Sequence, residues 1–426
     1  MDDLRGTIES VFRSEGGRII AGLIRLSRSF DLAEEAMQDA FTAAVSSWPS
    51  KGVPDNPAAW ITAAAHRKLI DYARRNRTRT SHETQLQYEI ELRQAANEDD
   101  TGHACPDDRL RLIFTCCHPA LNRQAQIALT LRTLGGLSTP EIAHAFLIPE
   151  PTLAQRLVRA KRKIEQARIP YEVPARDRLA ERLSAVQAVL YLIFNEGYSA
   201  SSGDGLVRRD LCAEAIRLAR TLVELMPDNP ENLGLLALML LHDSRRDTRS
   251  GPAGELVPLE EQDRRLWCQA QIAEGIRLVE RALGRRNPGP YQLQAAIAAV
   301  HAEAPTASET DWKQIAALYA ILCNMQPSPV VSLNHAVAVA MSGTLEQGLA
   351  FIDYLGCSGE LEGYHLYHAA RADLLRRMGR YTEAIESYSR ALPLTANAVE
   401  RRFLERRLNE IKTISHPSLN SNDLKP

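Results

Sequence analysis

The sequence predicts an all-α protein. Three observations carry that expectation. Apolar residues recur three or four positions apart from the first turns of the chain onward. Helix-opening patterns such as Ser138-Thr139-Pro140-Glu141 stand immediately before such runs. From about 178 to 412 the chain is almost wholly helical in pattern and rich in alanine and leucine. At 426 residues it has ample length to bury cores in two or three domains.

In order, residues 4–30 read as an opening helix with Ile8, Val11, Phe12, Ile19, Ile20, Leu23, Ile24 and Leu26 largely at helical spacing. A second helix follows at 31–48. Asp31 is the expected cap, and Glu34 and Glu35 favour the positive end of the helix dipole. Its stripe is Ala33, Met37, Ala40, Phe41 and Ala44, and Pro49 to Pro57 reads as a loop. A third helix, 58–77, turns Trp60, Ile61, Ala64, Leu69, Ile70 and Ala73 inward and ends strongly basic.

The formal net charge is −2, so any basic surface must be local. It is local. Between His66 and Arg79 stand Arg67, Lys68, Arg74, Arg75, Arg77 and Arg79 against Asp71 alone, and a second basic cluster runs from Arg156 to Arg168. Between the clusters, Ser81 to Asp108 carries eight acids against Arg93. That alternation points to two basic modules joined by an acidic tether.

Within the second module, Ile142, Ala143 and Phe146 face inward on a short helix, which Leu147 to Glu150 interrupt. Pro151 and Thr152 open another helix with Leu153, Leu157, Ala160 and Ile164 on one face. Thr152, Gln155, Arg156, Arg159 and Lys163 occupy the opposite face. Two short helices joined by a tight turn, the second half greasy and half basic, describe a helix-turn-helix. Arg and Gln on such a face can make paired hydrogen bonds to guanine or adenine edges. Arg159, Lys161, Arg162 and Lys163 would neutralise phosphates.

Several classes are excluded. The opening MDDLRGTIES is polar, unlike a signal peptide, and the longest apolar run, Leu233 to Leu241, is half a membrane span. Seven scattered cysteines without a CxxC pair suit a cytoplasmic protein with reduced thiols. His103, Cys105, Cys116, Cys117 and His118 fit no standard zinc spacing, so buried structural cysteines are expected and no metal. No phosphate loop, nucleophile elbow or convincing carboxylate pair is present, so no catalytic residue and no cofactor is expected.

Ala33, Glu34, Glu35, Gln38, Asp39 and Phe41 on one helix, then Trp60, Asp71, Arg74 and Arg75 on the next, resemble region 2 of bacterial RNA polymerase sigma factors of the extracytoplasmic-function type. Region 4 of that family resembles 136–163 through Leu137-Ser138, Glu141-Ile142-Ala143, Thr152, Arg156, Arg159-Ala160 and Lys161. His66 and Arg67 stand where an Arg-Asn pair is common.

The resemblance implies region 2 at 4–79, an acidic linker at 80–106 and a region 4 helix-turn-helix at 107–169. It implies that Glu34, Glu35, Gln38 and Asp39 meet core polymerase, with the β′ clamp helices and the β flap as partner surfaces. Arg67, Lys68, Arg74, Arg75 and Arg77 would meet the −10 element, where flipped single-stranded bases need a basic groove. Thr152, Gln155, Arg156, Arg159 and Lys163 would read the −35 element.

Past Pro170 the pattern hints at a repeat. Ala215, Ala219 and Leu222 lead to Pro227, Ile276, Glu280 and Leu283 lead to Pro288, and Ile315, Tyr319 and Leu322 lead to Pro327. The clearest unit has Gly379, Tyr381, Ala384, Tyr388 and Ala391 at tetratricopeptide-like spacing. The chain as a whole resembles a sigma-factor subgroup with a long helical extension, here 178–412 followed by a flexible tail at 413–426. In that subgroup the extension acts as a built-in regulator, answering to an unidentified protein or small molecule. The segment Asn195 to Gly205 either lines a groove with Asp243 and Arg245 or is a plain surface loop. The rival function is a one-component helix-turn-helix regulator with a sensing repeat domain, which would need no polymerase-docking helix.

Overall fold

In the computed structural model the described residues are 2–75, 108–146, 148–199 and 207–415. They are helical throughout, apart from turns and one isolated antiparallel bridge between Ser250 and Leu256. The acidic linker expected at 80–106 lies outside them. The chain divides into two compact units, 1–192 and 193–426.

The N-terminal unit opens with α1 (Asp2–Ser27), α2 (Phe30–Lys51) and α3 (Pro57–Arg75). Ser29, rather than the expected Asp31, caps α2, because its Oγ accepts the Leu32 N–H at 3.4 Å while Asp31 sits exposed in the first turn. Pro49 does not end the helix as expected. A proline in the last turn removes only one intrahelical hydrogen bond, and Trp48, 3% exposed, anchors that turn edge-on to Trp60 at 5.5 Å. The helix closes where the Gly52 N–H, at φ +83°, donates to the Trp48 carbonyl.

Next come α4 (Asp108–Cys116), α5 (Arg123–Thr133), α6 (Thr139–Ala145), α7 (Glu150–Gln166) and the start of α8 (Arg176–Tyr198). Helix α1 packs on α4 and α5 as well as on α2 and α3. Gly17 permits this approach: a Cβ there would lie 3.1 Å from the Leu134 carbonyl oxygen. Asp108 ties the seam, accepting from Arg25 Nε at 2.8 Å and from Arg111 at 2.7 Å. The Tyr171 hydroxyl lies 2.8 Å from the Ala21 carbonyl and 3.2 Å from that of Asp108. The first turns of α8 belong with this unit, since Arg182 donates to the Phe114 carbonyl and Arg123 to that of Ala185.

Cys116 and Cys117 are fully buried, with their Sγ atoms 3.3 Å from the Thr133 hydroxyl and 3.6 Å from that of Thr130. Burial raises both thiols, that of Cys117 to about 11, so neither is a ready thiolate.

The C-terminal unit continues with α9 (Arg209–Leu225), α10 (Pro230–Asp243), α11 (Gln269–Leu283), α12 (Pro290–Glu303), α13 (Trp312–Met325) and α14 (Pro329–Met341). It ends with α15 (Leu345–Gly356), α16 (His365–Arg377), α17 (Tyr381–Ala391) and α18 (Ala398–Ser415). Consecutive helices pack on one another. The backbone of α10 meets α12 closely at Gly234, where a Cβ would fall 2.7 Å from Gln292 N. Glu231 of α10 accepts the Tyr291 and Gln292 N–H groups at 3.0 and 3.2 Å, capping α12 from a neighbouring helix.

Ala215, Ala219 and Leu222 are buried, as are Ala384, Tyr388 and Ala391. In α11 the register is one residue off. Ile272, Gly275, Val279 and Ala282 face inward, while Glu280 and Leu283 are exposed. Asp243 does not line a groove: it is 1% exposed and accepts from Arg246 and Gln271. Helix α18 runs three residues into the stretch expected as a tail, which otherwise lies outside the described residues.

Tyr171→Phe removes the hydroxyl that ties α1 to the chain after α7. Amide exchange in peptides covering Ile19 to Leu26 should accelerate about five- to thirtyfold, as expected for about 1–2 kcal/mol, when followed by deuterium uptake.

Candidate promoter and polymerase interface

Helix α6 is held by a reciprocal capping box. The Ser138 Oγ accepts the Glu141 N–H at 3.3 Å, and the Glu141 carboxylate accepts the Ser138 N–H at 2.7 Å. That fixes the entry into the turn, and Leu153, Leu157, Ala160 and Ile164 then bury the inner face of α7. Thr152, Gln155, Arg159 and Lys163 are exposed and Arg156 half-buried on the outer face. Among the described residues none of Arg156, Arg159 and Lys163 has an acidic partner, so all three charges are free to meet an anion.

These five residues line one cleft of about 520 Å³. Its other wall is Ala120, Leu121, Asn122 and Ala125, where Asn122 caps α5 by accepting the Ala125 N–H at 2.9 Å. Sequence reading missed this wall, although an Asn ahead of a helical run is a legible cap signal.

Lys161 behaves differently from its neighbours. It was expected to meet phosphate, but its side chain is 15% exposed and donates to Asp31 at 2.9 Å and Glu34 at 2.7 Å on α2. Glu34 is therefore not on an open face as expected; it is 28% exposed, and its second carboxylate oxygen is buried without a partner. Glu35, Gln38 and Asp39 are exposed, and Asp39 pairs with Lys68 of α3 at 3.1 Å. The two lysines thus tie three acids of α2 to helices expected to meet DNA. An exposed pair such as Asp39–Lys68 contributes about 0.2–1 kcal/mol, so a competing protein surface can displace it at small cost.

Of the basic set on α3, Arg67 and Lys68 are exposed, with Arg67 Nε donating to the Ala63 carbonyl at 3.2 Å. His66 is buried and faces the core rather than solvent. Arg74 and Arg75 stand in the last turn of α3, and Arg77 lies outside the described residues.

The chain matches the family models of sigma-70 region 2 over residues 11–79 and sigma-70 region 4 over 111–164. The chain is an extracytoplasmic-function sigma factor. Within the extension, residues 182–283 match a family of unknown function (DUF6596). An uncharacterized protein of Rhizobium meliloti (strain 1021) is 44% identical over 409 residues, spanning 95% of this chain and 96% of the relative. No solved structure matches.

The sigma factor binds core RNA polymerase and promoter DNA and directs transcription initiation. A one-component regulator would have no need of region 2, so that rival is not favoured. Among the described residues no helix is long and apolar enough to cross a membrane.

In the free sigma factor, a water-soluble carbodiimide should link Lys161 to Asp31 or Glu34 without a spacer. Peptide mass spectrometry should detect this link, lose it in Lys161→Gln, and find it reduced at 1 M salt, where screening acts over about 3 Å.

Proposed function

We propose how the parts divide the work. Residues 4–79 act as region 2, 80–106 as the linker, 107–169 as region 4 and 178–412 as a tetratricopeptide-like regulatory extension. Glu34, Glu35, Gln38 and Asp39 dock on the β′ clamp helices, and region 4 sits at the β flap. Arg67, Lys68, Arg74, Arg75 and Arg77 engage the opened −10 element, where unstacked bases need a cationic track. Thr152, Gln155, Arg156, Arg159 and Lys163 read the −35 element in the major groove. The factor catalyses nothing itself, needs no cofactor and works in the cytoplasm.

The observation that carries the −35 assignment is the shared cleft, lined by all five residues with three cations that lack an acidic partner among the described residues. The docking assignment is supported by the three exposed polar residues on α2 opposite the buried Ala33, Met37 and Ala40.

Reading both elements at once requires the N-terminal unit to open. The two elements are separate stretches of the promoter duplex, which rises about 3.4 Å per base pair. Helix α1 packs against α4 and α5, so region 2 touches region 4. A linker with the length of 80–106 reaches about 90 Å when fully extended, about 26 base pairs of B-form DNA. Polymerase binding would therefore displace Lys161 from Glu34 and separate the two regions.

Run-off transcription with core polymerase tests the scheme. Arg156→Ala or Arg159→Ala should cost about 1–3 kcal/mol of discrimination at individual −35 positions. Lys163→Ala should instead weaken all promoters alike and lower the salt slope by about one. Asp39→Lys should reduce capture by core polymerase while leaving the circular-dichroism melt unchanged. Wild-type promoter selectivity in both arginine variants would remove the −35 assignment.

A further inference from the structure

The C-terminal unit contains a cavity of about 740 Å³, within the range that holds a small organic ligand. Val337 and Met341 of α14, Leu374 of α16, and Phe403 and Leu404 of α18 form much of its wall. Water along that apolar stretch of wall finds few hydrogen-bond partners, so the apolar part of a guest gains from displacing it.

The charged part of the wall is unevenly compensated. Arg377 donates to Glu260 at 2.7 Å and to Asp373 at 2.7 Å, and Arg407 pairs with Glu261 at 2.5 Å. These two arginines have carboxylates. Arg264 has none. Its guanidinium donates to the His301 and Ala304 carbonyls at 2.7 Å each and to the Thr310 hydroxyl at 3.0 Å, all neutral groups. The residue is only 8% exposed and its Nε is buried without a partner; no carboxylate among the described residues stands within ion-pair distance, Glu309 attracts it only at longer range, and the Trp267 ring lies 5.1 Å from the guanidinium.

A buried cation with only neutral partners is costly, because desolvation is not recovered by an opposite charge. Hydrogen bonds to carbonyls offset part of that cost and fix the guanidinium in place. They do not neutralise it. Ser308 and Thr310 on the same wall add hydroxyls that can donate to an anionic head.

We propose that this cavity binds an amphipathic organic anion, with a carboxylate head against Arg264 and an apolar body along Met341, Leu374 and Phe403. The pocket supplies the two things such a molecule needs: a fixed buried positive charge at one wall and a long apolar surface at another. A cationic or neutral molecule of the same length would leave Arg264 uncompensated and bind less well. Binding itself does not depend on the reading of the extension as a regulator; only its consequence for transcription does.

The test uses the full chain, with decanoate as probe and decanol and decyltrimethylammonium as matched controls. Each competes against 1-anilinonaphthalene-8-sulfonate, followed by fluorescence. Decanoate should displace the dye at least tenfold more effectively than either control. Met341→Trp, which fills the cavity without touching Arg264, should weaken decanoate at least tenfold. Arg264→Gln should abolish the preference for decanoate over decanol, read by isothermal titration because the dye is itself an amphipathic anion. Should Arg264→Gln fail to fold, as circular dichroism would reveal, Met341→Trp and the head-group comparison decide alone. Equal displacement by decanoate and decanol, or undiminished decanoate binding in Met341→Trp, would overturn the proposal. Run-off transcription with and without decanoate forms a separate arm: a change in yield would support the regulatory reading of the extension, and tight binding with unchanged yield would count against that reading alone.

Discussion

The N-terminal unit depends on the position of one carboxylate. Asp108 receives Arg25 from α1 and Arg111 from its own helix, and its backbone carbonyl lies within reach of Tyr171, from the chain beyond α7. Its side chain is 19% exposed, so these bonds act in a partly desolvated setting where charge-assisted hydrogen bonds are stronger than at a surface. Asp108 also begins α4, where a negative charge complements the helix dipole. Region 2, the start of region 4 and the segment leading to the extension therefore meet at a single residue. The small side of α1, at Gly17, lets the helices come close enough for the meeting to happen.

Around that anchor the same charged residues serve two purposes. Lys68 and Lys161 belong to helices suited to nucleic acid, and in the free factor both are engaged with acids of α2. Two of those acids, Glu34 and Asp39, are among the residues we propose dock on polymerase. The exposed Asp39–Lys68 pair is weak by itself, whereas Lys161 holds its two acids in a partly desolvated setting. The cations of the outer face of α7 take no part in this pairing. They point away from the apolar seam because Leu153, Leu157, Ala160 and Ile164 must bury themselves on the other side.

The C-terminal unit is stabilised differently, by backbones brought together at small residues and by caps supplied from neighbouring helices. Gly234 against Gln292 and Glu231 at the start of α12 show both devices on one pair of helices. The loop after α10 is held by buried polar links: Trp267 Nε1 donates to Thr248 at 3.0 Å, and Thr248 bonds Gln262 at 3.2 Å. That ordering positions Arg264 and the strap bearing Glu260 and Glu261 beside α16 and α18. A cavity with a charged rim follows from threading a polar loop along apolar helices.

The sequence by itself determined the helical class, the two basic modules, the inner and outer faces of α7 and the family. These are local matters: a period of 3.6 and a turn between two short helices are written in neighbouring residues. Local reasoning failed where a choice lay between equivalent neighbours. Ser29 rather than Asp31 caps α2, and the inner face of α11 runs through Gly275, Val279 and Ala282 rather than Ile276, Glu280 and Leu283, because long-range packing selects among near-equal local options. Tertiary structure alone decided that Asp108, which reads as the end of an acidic tether, is a hub, and that Lys161 turns toward Asp31 and Glu34. It alone left Arg264 buried without a carboxylate. Each of those facts joins residues far apart in the chain, and no spacing within a single segment records them.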